Sequence, residues 1–135
     1  MRLKATAITI AIILAGCGLF DSGSNWRSGK FEVIWIDVHT DSHLAYRLDS
    51  TTSIGVIESC VIAAGANEKY IAVKQIRAGH INYYSVEKAK FSPLKDSRDA
   101  IHGPLTQAAY ESLSNTIALP ALESVLPESA CETAA

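Results

Sequence analysis

The sequence predicts an α+β fold, a twisted antiparallel β-meander of about five strands with a C-terminal helix packed on it. Three observations predict it. Residues 30–39, Lys-Phe-Glu-Val-Ile-Trp-Ile-Asp-Val-His, are dense in β-branched and aromatic side chains, which suit a pleated surface. Residues 70–77 and 80–86 are two further runs of this type, separated by Ala78-Gly79, the spacing of a β-hairpin. After Pro93 the pattern changes, and Leu105, Ala109 and Leu113 recur at the four-residue step of a helix face.

Taken in order, Phe31, Val33 and Trp35 fall on one face of the first run and Ile34, Ile36 and Val38 on the other. Two apolar faces predict a central strand. His39-Thr-Asp-Ser-His43 has turn chemistry through Asp41 and Ser42, and residues 44–48 begin a return strand. Residues 54–64 form a third strand that ends at the loop Gly65-Ala-Asn-Glu68, and the 70–77 and 80–86 hairpin supplies the last two. Gly103-Pro104 opens the helix, with proline at a first-turn position where its missing N–H costs nothing. A further turn or two of helix is expected over 119–126, begun at Pro120 and stopped by Pro127.

The chain has 135 residues, 48% apolar and 19% charged, with a formal net charge of -2. This composition excludes collagen-like, coiled-coil and disordered classes and fits one small domain. Charge is blocked along the sequence. Residues 17–68 hold seven acids and three bases, 69–98 hold seven bases and two acids, and 99–135 hold five acids and no base. The basic block has two readings, internal pairing of solvated faces or a patch offered to an acidic partner.

The N-terminus has the layout of an export signal. Arg2 and Lys4 precede ten uncharged residues, Ala5 to Leu14, too few for a permanent membrane span. The run ends in Leu14-Ala15-Gly16-Cys17, which resembles the lipobox of bacterial lipoproteins, whose cysteine is acylated and becomes residue one. That resemblance implies a signal peptide over 1–16 and lipidation, including palmitate, at Cys17. The Gly/Ser-rich residues 17–29 would then be a flexible tether, with Trp26 as an alternative first core residue, and 30–135 a single globular domain. Gly18 stands where an inner-membrane lipoprotein carries aspartate, so the resemblance implies a lipid-anchored protein of the outer membrane facing the periplasm. With Cys17 acylated, Cys60 and Cys131 remain as a pair in an oxidising compartment, and a disulfide between them is expected; alternatively, Cys60 is a buried small side chain in an apolar strand.

No G-x-S-x-G elbow, Walker loop, GxGxxG, CxxC or HExxH occurs in the sequence. We therefore expect a protein that is not an enzyme, has no cofactor and, from its envelope address and negative charge, binds no nucleic acid. Asp37, His39, Asp41 and His43 are spaced by two, so an extended strand would align their side chains on one face. His39, Asp41 and His43 are thus weak metal-ligand candidates, against the reading of a solvated turn. Adjacent Tyr83 and Tyr84 must point to opposite faces, one inward and one outward beside Lys88 and Lys90. An exposed tyrosine among bases is a recognised binding arrangement, so Lys74, Arg77, Tyr84, Lys88 and Lys90 are the candidate partner-binding residues.

The lipobox, residues 67–75 (Asn-Glu-Lys-Tyr-Ile-Ala-Val-Lys-Gln), the Tyr83-Tyr84 strand leading to Lys88, and Gly103-Pro-Leu-Thr106 before Tyr110 together resemble small bacterial lipoproteins that carry a short domain of unknown function. The resemblance covers residues 31–113, and proteins of this plan are similar to periplasmic immunity lipoproteins. It implies membrane attachment through the N-terminal lipid and a protein partner, a secreted toxin or an envelope enzyme, held inactive. The alternatives are a structural or lysozyme-inhibitor-like envelope lipoprotein and a metal-binding periplasmic protein.

Overall fold

A computed structural model describes residues 22–131. The expected signal peptide, Cys17 and the start of the tether lie outside the described residues.

Among the described residues, nine strands form two antiparallel sheets. Sheet A is a meander of β1 (Ser22–Ser28), β2 (Phe31–Ile36), β3 (Val38–Arg47) and β4 (Ser53–Ile57) in that order. Sheet B has the order β8-β7-β6-β5-β9, from β5 (Val61–Ala66), β6 (Tyr70–Arg77), β7 (His80–Glu87), β8 (Ile101–Leu105) and the short β9 (Glu123–Ser124). The helix α1 (Gln107–Thr116) follows β8. The α+β class, the five-stranded antiparallel sheet and the C-terminal helix packed on it are as the sequence predicts. The expected strands over 30–39 and 44–48 lie instead in a second, four-stranded sheet, and β8 and β9 complete the five-stranded one.

One core lies between the sheets. Phe31, Val33, Leu44 and Ile57 of sheet A meet Val61, Ala64, Ile71, Val73 and Val86 of sheet B, with Trp26, Tyr46, Tyr84 and Phe91 packed around them. Alternation along β2 puts Phe31 and Val33 inward and Glu32 and Ile34 outward, the period of two of a half-covered sheet. Sheet B is covered on its other face as well. There α1 lays Tyr110 on Tyr83, with ring centroids 4.6 Å apart, and the segment after the helix crosses β5. A strand buried on both faces reads as a continuous apolar run, and Val61 to Gly65 are all buried. Gly65 is required by that crossing, because a Cβ there would run into the carbonyl oxygen of Ala121.

Several local expectations are corrected. The tether expected through residue 29 ends earlier, since Ser22–Ser28 is the edge strand β1, paired along β2. Its Gly/Ser composition resembles a linker, yet tertiary contacts hold it: Trp26 packs on the core, and the Trp35 indole lies where a Cβ on Gly23 would be. The single strand over 30–39 is two strands, because Asp37 adopts φ 66° and reverses the chain, a conformation that aspartate tolerates better than most residues. The turn placed at His39–His43 is instead an irregularity inside β3, where pairing shifts from Ile36↔Val38 to Ile34↔His43.

The strand over 54–64 divides at Glu58-Ser59-Cys60, the corner where the chain leaves sheet A for sheet B. Cys60 and Ile76 exchange backbone hydrogen bonds there, at 3.2 and 2.9 Å. Ala78 and Gly79 turn β6 into β7 with φ 51° and 77°, the paired positive values that suit a two-residue hairpin. Pro104 belongs to β8, and the helix begins later, capped by Thr106, whose Oγ1 accepts from the Ala109 N–H at 3.1 Å.

No helix forms over 119–126. The backbone N–H groups of Val125 and Leu126 donate to the Ile62 carbonyl at 2.8 and 3.1 Å, and β9 pairs with Ala63 and Ala64. A bulge in β5 between Val61 and Ala63 leaves Ile62 out of register with β6. Pairing with the open β5 edge outweighs the weak helix signal of this proline-flanked segment. Among the described residues no helix is long and apolar enough to cross a membrane.

Candidate functional site

Cys60 and Cys131 are joined in a disulfide, with Cα atoms 6.2 Å apart and a sequence separation of 71. Cys60 stands at the corner between the sheets, and Cys131 closes the final turn, Glu128–Ala130, over it. Ile62, Ile76, Leu126 and Ala130 complete a small second core around the bridge. The C-terminal strap is therefore fastened by a covalent bond, by β9, and by Lys74, whose Nζ lies 2.6 Å from Glu128 Oε1.

Each candidate partner-binding residue has a local partner in the fold. The hydrogen bond to Glu128 raises the pKa of Lys74, and its ammonium also lies 5.9 Å from the Tyr83 ring centroid. Arg77 pairs with Glu58, Lys88 donates to the Asn67 carbonyl at 2.6 Å, and Lys90 lies 3.2 Å from Glu87. Tyr84 packs against the inner core, where burial raises its phenol pKa. The outward tyrosine is Tyr83, and it lies beneath Tyr110. Lys74, Arg77 and Lys90 thus each pair with a glutamate, while Arg77 and Lys90 stay more than half exposed.

The strand-spaced Asp37, His39, Asp41 and His43 are also separated. Asp37 is at the chain reversal, His39 stacks on Trp35 with ring centroids 4.1 Å apart, and His43 Nδ1 is 2.9 Å from the Asp41 carbonyl oxygen. The irregularity in β3 breaks the period of two that would align them. Among the described residues, no three His, Cys, Asp or Glu side chains are grouped to hold a metal ion. His80 and His102 stand on β7 and β8.

A cleft of about 640 Å³ opens where the sheets diverge. It is lined by Thr40, Asp41 and His43 of β3, Gly55 to Ile57 of β4, the corner Glu58-Ser59-Cys60, and Ile76-Arg77-Ala78 at the end of β6. Its charged rim is the Glu58–Arg77 pair together with Asp41. Sequence reading singled out Asp41, His43 and Arg77 separately but missed Glu58 and Ser59. The available signal was the polar interruption Glu58-Ser59 in an otherwise apolar run. The cleft offers mixed hydrogen-bonding and charged groups to a polar segment.

Another polar group was not legible in the sequence. Glu32 points outward from β2 and is buried, with a side-chain exposure of 3%. Arg47 grips it with two hydrogen bonds, Nε to Oε1 at 3.1 Å and Nη2 to Oε2 at 3.0 Å, and Arg27 Nη2 donates to Oε2 at 3.1 Å. Burial alone would raise the carboxyl pKa, but the hydrogen bonds and charges of Arg47 and Arg27 outweigh it and hold it below the ordinary 4.5. A depressed folded-state value stabilises the fold above the unfolded pKa, and that contribution is lost as pH falls through the folded value. Glu32→Gln is therefore expected to cost about 1–2 kcal/mol at neutral pH, since both guanidiniums still reach water. Its urea midpoint should also fall less steeply than that of the wild type below pH 4.5. Parallel pH profiles would remove this role.

No protein-family model, curated protein or solved structure matches this chain.

Proposed function

We propose that this protein is a lipid-anchored lipoprotein of the bacterial envelope that acts by binding another protein, as an immunity or inhibitor protein against a secreted toxin. The observation that carries the reading is the Cys60–Cys131 bridge. It uses two of the three cysteines, and the third is the one that follows Leu14-Ala15-Gly16. Buried disulfides in small domains belong to oxidising compartments, which is where a chain with this N-terminal pattern is sent.

A binding role suits the body that the anchor would hold. Two sheets locked by a shared core and a fastened strap make a rigid surface, and rigid surfaces lose little entropy on association. The cleft rimmed by Asp41, Glu58 and Arg77 presents both charge signs to a partner, an arrangement that favours orientation and specificity. Tethering confines the protein to the bilayer surface and raises its effective concentration there.

Cells producing the wild-type chain should incorporate labelled palmitate into it, and Cys17→Ser should abolish the label and shift the protein out of the membrane fraction. Unlabelled wild-type chain would end the lipoprotein reading. Affinity capture of the acylated protein from envelope extract should recover one partner in stoichiometric amount. Recovery of none under mild conditions would end the immunity reading.

A further inference from the structure

We propose that the tip of the β2–β3 hairpin contacts the lipid bilayer, with Ile36, Val38 and the edge of Trp35 entering the headgroup region. The inference rests on the lipid anchor at Cys17 and adds to it the orientation of the body on the membrane.

The chain enters the body at this tip. Ser22, the first residue of β1, is paired with Ile36, and Ile36 is paired across the hairpin with Val38. Cys17 precedes Ser22 by five residues (22 − 17), a length that spans at most about 18 Å when fully extended. An acyl chain anchored in the bilayer thus keeps the tip within about 18 Å of the lipid-bearing sulfur, which places the interfacial region, about 5–8 Å deep, within the reach of the tip.

The tip is where the outer face of sheet A exposes large apolar side chains. Ile36 and Val38 are 43% and 55% exposed, and as a cross-strand pair they lie side by side on one face. At the other end of β2 that face carries the Glu32–Arg47–Arg27 cluster. Trp35 is half-buried, held between Gly23 and His39. Tryptophan is enriched at the headgroup level because its ring is apolar and its N–H polar.

The small size of the exposed surface decides between occupants. A stable protein interface buries about 800 Å² per partner, far more than two aliphatic side chains and an indole edge supply. A membrane contact needs no such area when an acyl anchor already holds the chain at the surface, since the tip then acts as a second, weak signal. From Ile34 to Thr40 the one formally charged side chain is Asp37, whose carboxylate must stay hydrated and offers no attraction to anionic headgroups, so the contact stays at headgroup level.

The test uses the purified full-length mature protein, its acylation checked by mass spectrometry, in phosphatidylethanolamine vesicles with acyl chains brominated near the headgroup. Tryptophan emission should fall relative to unbrominated vesicles, with the loss confined to the Trp35 component. Trp35→Phe should remove the quenchable component and leave the Trp26 emission unchanged. The double variant Ile36→Asp, Val38→Asp should remain on the vesicles through its acyl chains but lose the quenching. Acylated wild-type protein that is not quenched, or that is quenched equally in the double variant, overturns the tip contact and leaves the anchor standing. A chain that carries no lipid overturns both.

Discussion

Cys131→Ala is expected to destabilise the protein by about 4 kcal/mol, read as a lowered urea midpoint under non-reducing conditions. The separation of 71 residues sets the scale, because a long closed loop removes much entropy from the unfolded chain. Native packing is affected too, since both cysteines are buried among Ile62, Ile76, Leu126 and Ala130. Cys60→Ala should behave alike, and the double variant should cost little more than either single one, because all three remove the same bond. Dithiothreitol should destabilise the wild type and leave the double variant unmoved. A loss under 1 kcal/mol in the single variants, a threshold well below the usual range for such bridges, would mean that β9 and the Lys74–Glu128 pair suffice to hold the strap.

Leu44→Ala should cost about 3–4 kcal/mol, with a single cooperative transition retained. Leu44 is fully buried and belongs to sheet A, but the core that it enters is shared with Val61, Ile71, Val73 and Val86 of sheet B. Truncation leaves a cavity between two sheets that no hydrogen-bonded ladder joins, so neither can close over it without displacing the other. Far- and near-ultraviolet circular dichroism should therefore report the same midpoint in urea. Separate midpoints for the two signals would show that the sheets unfold independently and that the shared core is not what couples them.

Much of sheet B was legible in the sequence because its signals are local. The β6–β7 hairpin is announced by two apolar runs and Ala78-Gly79, and the helix by a four-residue apolar step. In sheet A the strands over 30–39, 44–48 and 54–57 were legible too, but its edge strand and its turning points were hidden for reasons that are also physical. β1 has a linker's composition and is held by Trp26, by the space at Gly23 and by the salt bridge from Arg27 to Glu32, none of which is a local propensity. The reversal at Asp37 needs no glycine or proline, so nothing in the run of residues 30–39 marks it. The corner at Glu58-Ser59-Cys60 reads as a minor interruption in one strand, although it is the point where the chain changes sheets. The cysteine pairing followed from counting, whereas one-dimensional charge blocks do not reveal that Glu58, Glu87 and Glu128 lie beside Arg77, Lys90 and Lys74.

The connectivity imposes an order on assembly. Within sheet A and from β5 to β8 every strand pairs with its immediate predecessor, so most of the chain can zip from short loops. β9 must return to β5 across the intervening hairpins and the helix, which incurs the largest closure entropy. A polypeptide emerging amino-end first can therefore complete sheet A and four strands of sheet B before β9 arrives, and oxidation of the thiols becomes a latch thrown on an almost finished body.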